Sequence, residues 1–238
     1  MTLVAKTAEN ALLILGRLAE VESASVAQLS EQLGLNRTVV HRLVATLEKH
    51  GYVRCENGSC RLGFTLLRLA GAVEFNVRSA AQTDMERLAD QTGETCVLVV
   101  REGLQGVIAD QRFSGSEAGP QIRYPAGFRN PLTTSGHGRA ILAFSDAAVV
   151  TQSLAELAEE DRERLTSQLA QVRRQGYAES TNELRSGTSG LAAPVCDSRG
   201  SAVASVGVVS PASRFPDVDG LIAATTSAAR RIEIRLFG

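Results

Sequence analysis

The stretch GLNRTVVHRLVATLEKHGYV, residues 34–53, concentrates Arg37, Arg42, Lys49, His41 and His50 between two glycines. Cationic groups held on one side of a helix suit a polyanion: they neutralise phosphate, and arginine can also present its fork of donors to the edge of guanine. Projected at helical spacing, Val40, Leu43, Val44 and Leu47 form one apolar stripe, and Thr38, Arg42, Ala45 and Lys49 lie opposite it. The first face is expected to be buried and the second to stay small and cationic. Arg37, Thr38, Val39 and Arg42 occupy the N-terminal half, the part of a helix that reaches base edges in a major groove, where Thr38 and Val39 suit a thymine methyl. Lys49, Arg54 and Arg61 are placed to neutralise backbone phosphate, which positions a protein without reading sequence.

Between residues 36 and 61, five basic residues stand against two acidic ones, Glu48 and Glu56, in a 238-residue chain of formal charge −1. Any polyanion contact is therefore a local patch. Ser135-Gly136-His137-Gly138, just ahead of an apolar helical run, is a second candidate, because unpaired amides and the dipole at a helix start favour an anion. An ordinary glycine-rich helix entry reads the same way, so the segment alone does not decide.

Other chemistry has little raw material. With three histidines and four cysteines, Cys55, Cys60, Cys96 and Cys196, at neither zinc nor secreted-disulfide spacing, no metal, cofactor or catalytic triad is expected. Cys55 and Cys60 flank a turn and are expected to be reduced, a cross-link under oxidation being the alternative. His41 and His50 are expected to cap, pack or touch phosphate. The composition, 44% hydrophobic and 21% charged, is that of a globular protein with one or two domains. The longest apolar runs, such as Ala11 to Leu15, fall far short of the roughly 20 residues that cross a bilayer, and Glu9 and Arg17 bracket the first. A cytoplasmic protein with no membrane partner is expected.

The elements that must hold these residues are written locally. A first helix is expected from about Val4 to Ala19, with Ala8, Leu12, Leu15 and Ala19 as its apolar spine and Leu13, Ile14 and Leu18 widening it. Ser25 and Gln28 fit a capping box and Gly34 a stop; Asn36 fits the N-cap of the basic helix and Gly51 its end. Tyr52–Cys55 and Cys60–Leu62 read as strands around Asn57-Gly58, which makes a hairpin. Helix, turn, helix and hairpin together have the layout of a winged helix-turn-helix. A helix from Phe64 to about Gln91, with Leu62, Leu66, Leu69 and Val73 on one face, is expected to join it to a second domain.

That domain opens with strands at Thr95–Gly103 and Gly106–Phe113, with a third expected at Gln121–Gly127. Helical patterns follow at Gly138–Phe144, Asp146–Thr151 and Asp161–Gln175. Strands at Gly190–Ser198 and Gly200–Ser210 and a last helix at Val218–Arg235 complete an α+β domain with an antiparallel sheet.

GLNRTVVHRLVATLEKHGYV followed by CRLGFTLLRLA, with TTSGHGRAILAF and RRQGYAESTNELRSGTSGLAAPV farther on, resembles the IclR family of bacterial transcriptional regulators over essentially the whole chain. The resemblance implies a DNA-binding domain at residues 1–63, a linker helix at 64–80 and a GAF-like effector-binding and oligomerisation domain at 81–238. It also implies a homodimer or homotetramer on a palindromic double-stranded operator, with the first helix and the linker as dimer surfaces. Repression is the expected mode, activation the alternative. A small-molecule-binding protein or enzyme without DNA binding is the reading from another class. The family's ligand-contacting positions fall here on Gly136, His137, Gly138, Ser180, Gly190, Gly207 and Val209. Glycine and valine at the last two positions replace the family's hydroxyl side chains. The expected pocket is therefore poor in polar anchors, and the expected effector a larger, aromatic organic acid whose anionic group meets Arg123, Arg185 or His137. Glu183 is expected to be a structural hydrogen-bond partner.

Overall fold

The computed structural model describes residues 5–70, 75–115, 121–125, 127–215 and 218–238. The chain divides into two compact units, Met1–Phe75 and Asn76–Gly238. In the first, α1 (Lys6–Val21), α2 (Val26–Leu33) and α3 (Arg37–Lys49) precede an antiparallel hairpin of β1 (Val53–Glu56) and β2 (Ser59–Leu62) and a short helix α4 (Thr65–Ala70).

Local chemistry sets each boundary. The Gln28 N–H donates to Ser25 Oγ at 3.3 Å while the Ser25 N–H donates to Gln28 Oε1 at 2.8 Å, so two amides at the start of α2 are satisfied reciprocally. Gly34 ends that helix at φ 62°, a left-handed value glycine adopts without strain. Two residues on, Asn36 Oδ1 accepts from the Thr38 N–H at 2.9 Å and starts α3. At the hairpin tip Asn57 and Gly58 both have positive φ, the type I′ turn that matches strand twist. Ala24 extends the hairpin by exchanging two 2.9 Å hydrogen bonds with Cys60. Ile14, Leu18, Leu29, Val40, Leu43, Val44 and Val53 fill the core beneath α3.

Two expectations change in this unit, and a third is described only in part. The buried stripe of α1 is Asn10, Ile14 and Leu18, whereas Leu12 is 67% exposed and Leu13 is also exposed. The helix is apolar on more than one side, and the core takes one stripe. The helix expected from Phe64 to Gln91 is described as α4 and α5 (Phe75–Thr92), and Val73 of its expected face lies outside the described residues. Cys55 and Cys60, expected to be reduced, are bonded as a disulfide, because β1 and β2 set them directly opposite each other.

After α5 come β3 (Thr95–Glu102), β4 (Gln105–Arg112), β5 (Arg129–Pro131), α6 (Ser135–Ala143), α7 (Ala147–Ala155), α8 (Glu159–Gln175), β6 (Ala178–Thr181), β7 (Thr188–Cys196), β8 (Ala202–Pro211) and α9 (Val218–Phe237). The strands form one antiparallel sheet in the order β5-β4-β3-β8-β7-β6. Strand alternation divides its side chains between two cores. Leu98, Leu191, Val195, Val206 and Val208 pack with Met85 and Leu88 of α5 and Ile232 of α9. Val97, Val99, Ala192 and Val209 pack on the other face with Ile141 and Leu142 of α6 and Leu165 and Leu169 of α8. Asp84, fully buried on α5, is held by Arg231 and Arg235 of α9, a charge contact that fixes these two helices together.

The strand expected at Gln121–Gly127 does not form among the described residues. Pro125 has no amide to give a ladder, and the Gln111 side chain pairs with Tyr124 instead, donating to its carbonyl at 2.8 Å and accepting from its N–H at 3.0 Å. The edge strand is β5, and β6 is an element the periodicity did not mark.

Gly207 has no room for a side chain, since a Cβ there would lie 2.7 Å from the Ala192 Cα. Gly207→Ala is expected to lower stability in urea unfolding by about 1–3 kcal/mol, the usual cost of forcing atoms into a filled core.

Candidate functional site

On the outer side of α3, Arg37, Thr38, Val39, Arg42 and Lys49 are all exposed, Val39 at 40%, while Val40, Leu43 and Val44 are buried. The acidic residues nearby are turned to internal uses. Glu48 Oε1 accepts the Cys55 N–H at 2.9 Å and so ties α3 to the hairpin, and Glu56 pairs with Arg54 on its own strand. Among the described residues, Arg37, Arg42, Lys49 and Arg61 have no ion-pair partner in the protein, so α3 keeps an unneutralised outer face. Arg54 differs from them, because part of its charge is spent on Glu56.

In the second unit a slot opens beside α6, between that helix and the sheet. Val97, Val99, Ile108, Tyr124, Leu184 and Val209 supply its apolar walls and Gly190 a gap in them; Asn130, Ser135, His137, Ser180, Glu183, Thr188 and Ser189 supply polar groups. It is a narrow hollow of about 460 Å³ free of protein atoms, part of it open to solvent. Of the expected contact positions, His137, Ser180, Gly190 and Val209 come together here. Gly136, Gly138 and Gly207 do not line the slot: a Cβ at Gly136 would lie 2.9 Å from the Ala178 carbonyl oxygen, and one at Gly138 2.6 Å from that of Leu132. These glycines let backbones approach. Gly190 and Val209 are cross-strand partners, with 3.5 Å between a Cβ placed at Gly190 and Val209 Cγ2.

The expected scarcity of polar anchors is not what the slot has; hydroxyls arrive from β6 and β7. Most of these polar groups are already hydrogen-bonded within the protein. Thr188 Oγ1 donates to the Arg185 carbonyl at 2.7 Å, and Ser189 Oγ lies 3.1 Å from Thr181 Oγ1. Glu183 accepts from the Ser135 N–H at 2.8 Å and takes both arms of the buried Arg139 guanidinium at 2.7 and 2.6 Å. Burial alone would raise the Glu183 carboxyl, but hydrogen bonding and charge from Arg139, with the Ser135 amide, outweigh it and hold the group below its ordinary value. The anion place at the start of α6 is thus partly filled by the protein's own carboxylate. Arg123 and Arg185 do not line the slot: Arg123 lies over the Phe113 ring at 3.7 Å and Arg185 faces Tyr124 at 5.9 Å.

His137 is the group the slot leaves open. Its Nδ1 sits 3.0 Å from Ser205 Oγ, and that hydroxyl lies 3.3 Å from the His137 carbonyl. One arrangement satisfies both contacts: Nδ1–H donates to Oγ and the hydroxyl donates to the carbonyl, which leaves Nε2 as a bare acceptor. Nε2 is buried and has no hydrogen-bond partner among the described residues. Burial lowers the ring to about 4, against a smaller opposing contribution from the Ser205 backbone, so His137 is a neutral imidazole at pH 7 in the ligand-free protein. No group of His, Cys, Asp and Glu among the described residues is arranged to hold a metal ion, and no helix among them is long and apolar enough to cross a membrane.

The IclR helix-turn-helix domain matches residues 7–56, and the C-terminal domain of bacterial IclR transcriptional regulators matches residues 70–234. The chain belongs to the IclR family. Among its IclR relatives, the transcriptional regulator XynR of Escherichia coli is 30% identical over 91% of this chain and 90% of its own length. KdgR of the same organism is 27% identical over 94% and 89%. An IclR regulator from Alicyclobacillus acidocaldarius shares the fold, with a TM-score of 0.83 at 24% identity over 98% of this chain and 99% of that one. An IclR homologue from Microbacterium hydrocarbonoxydans, crystallised with 4-hydroxybenzoate, superposes with a TM-score of 0.80 at 25% identity over 95% and 98%. This IclR protein is therefore a DNA-binding transcriptional regulator.

Burial of neutral His137 makes folding sensitive to acid. The folded-state value is about 4 and the unfolded one about 6.5, so as pH falls the unfolded chain takes up the proton first. Stability is full above about pH 6.5 and is lost toward about pH 4, by on the order of 3 kcal/mol. In urea unfolding, His137→Gln is expected to flatten that acid limb relative to the unaltered protein.

Proposed function

We propose that the protein is a repressor that grips a palindromic operator as a homodimer or homotetramer and releases it when a hydroxylated aromatic acid enters the slot. Residues 1–63 carry DNA binding, 64–80 the connection, and 81–238 effector binding and oligomerisation. The protein acts in the cytoplasm by binding, with no cofactor and no catalysis. The observation that carries the DNA part is the cationic face of α3, where Arg37, Arg42 and Lys49 have no ion-pair partner among the described residues; Arg37, Thr38, Val39 and Arg42 face the bases, and Lys49, with Arg54 and Arg61 of the hairpin, faces phosphate. Exposed Leu12 and Leu13 on α1, Leu67 on α4 and Phe64 just ahead of it, the last two at 69% and 76%, support a self-association surface.

The effector class follows from the slot. Its narrow apolar walls suit a flat ring, and a phenolic hydroxyl supplies the donor that His137 Nε2 lacks. The Ser180 hydroxyl, which makes no bond to the protein among the described residues, is available to the acid group. The relative crystallised with 4-hydroxybenzoate supports this chemistry. Entry has to push the walls apart, which is the differential contact through which a ligand biases one state over another.

Binding of promoter duplex is expected to fall steeply with salt, and Arg42→Ala to weaken it by about 1–3 kcal/mol for a base-reading arginine. Undiminished binding by that variant in a salt-matched titration removes Arg42 from the readout. In thermal shift, 4-hydroxybenzoate is expected to raise the midpoint more than benzoate, and His137→Phe to abolish the difference. Equal shifts from the two acids would assign the hydroxyl no role.

A further inference from the structure

The wing hairpin carries a feature that neither DNA reading nor effector binding uses. Cys55 and Cys60 are directly opposed in the β1–β2 register, with Cα atoms 4.0 Å apart, and are joined as a disulfide. Each is tied to a different part of the DNA-binding unit. The Cys55 N–H is held by Glu48 of α3 at 2.9 Å, and Cys60 exchanges both backbone bonds with Ala24 between α1 and α2. The next cross-strand pair on the side away from the turn is Arg54 with Arg61, both exposed. Cys60 is 2% exposed, inside the core beneath α3, and Cys55 is partly accessible.

We propose that the Cys55–Cys60 pair is a reversible thiol switch that responds to hydroperoxides and sets the DNA affinity of the wing. Starting from the dithiol, the accessible Cys55 sulfur attacks the peroxide O–O bond, becoming a sulfenic acid as one water leaves. Cys60 Sγ then displaces the sulfenic hydroxyl, which departs as a second water, and the S–S bond forms. Two thiols and one hydrogen peroxide thus give one disulfide and two waters. A dithiol reductant reverses the step, transferring two hydrogens and closing into its own cyclic disulfide.

Specificity for this pair has a physical basis in the other two cysteines. Cys96 is fully buried, and burial pushes its thiol far above the usual range. Cys196 is pushed up to about 11 by burial and by the carboxylates of Glu233 and Asp197. Neither offers appreciable thiolate at neutral pH.

The direction follows from packing. Two unbonded sulfurs must stand at van der Waals separation, and Cys60 is almost fully buried in the core beneath α3, where close packing resists such a shift. Reduction therefore moves β1 against β2 and disturbs the Arg54–Arg61 pair, and the disulfide form holds DNA more tightly.

This effect rests on the DNA reading above, and the test separates the two. Trypsin releases residues 55–61 as one peptide containing both cysteines. After hydrogen peroxide treatment of the folded full-length protein and alkylation, that peptide is expected unalkylated and lighter by two hydrogen atoms than its reduced form, with Cys96 and Cys196 unchanged. Binding of a random-sequence duplex at low salt is expected to be roughly threefold or more weaker after dithiothreitol than after peroxide, as when a phosphate contact is disturbed. Cys55→Ser/Cys60→Ser is expected to bind equally under both treatments. A peptide unchanged in mass, or equal binding by both forms of the unaltered protein, overturns the switch. Absence of duplex binding in every form overturns the DNA reading and the switch with it.

Discussion

A helix whose every residue is buried cannot leave its first amides or its charged side chain to water, and α6 is such a helix. The carboxylate of Glu183, 48 residues beyond Ser135, answers both demands by accepting the Ser135 N–H and receiving both arms of Arg139. With that exchange in place, the glycines of the first turn can press against the backbones of β6 and the β5–α6 turn. The slot is what remains between a helix fixed in this way and the sheet. Its shape therefore depends on one bidentate ion pair more than on any residue of its apolar walls, because loss of either partner leaves a buried charge unmatched.

The DNA-binding unit solves the opposite problem, that of keeping charge unmatched on purpose. A helix rich in arginine would ordinarily find acidic partners on its own surface. Here Glu48 is turned to the Cys55 amide and Glu56 is paired along its strand, so neither quenches α3. The caps at Ser25, Gly34 and Asn36 fix where α3 begins, and burial of Val40, Leu43 and Val44 fixes which way it faces. Position and orientation are settled by apolar contacts and caps, which leaves the cations free to be solvated until a polyanion arrives.

Much of this was legible in the order of residues. Capping residues, the Asn-Gly turn and the stripe on α3 each announce themselves within a few positions, and they place the cationic face without tertiary information. Two apolar stripes on α1 are equally legible, but periodicity does not say which of them the core will take. The Glu183–Arg139 pair joins residues 44 apart and leaves no local pattern. The identity of His137 as an unsatisfied acceptor depends on Ser205, which a register of three strands brings beneath it. Gln121–Gly127 carries strand-like residues, yet a glutamine side chain substitutes for the ladder that Pro125 could not complete.

Gly190 and Val209 face each other across β7 and β8 in the wall of the slot. A Cβ at Gly190 would lie 3.2 Å from the Val208 carbonyl oxygen and 3.5 Å from Val209 Cγ2, so a larger residue at one position calls for a smaller one at the other, and the hollow shifts along the wall. Paired replacements of this kind would change the shape the hollow accepts without changing the strand register. Diversification of the signals sensed by such a scaffold needs no new loops and no new charges.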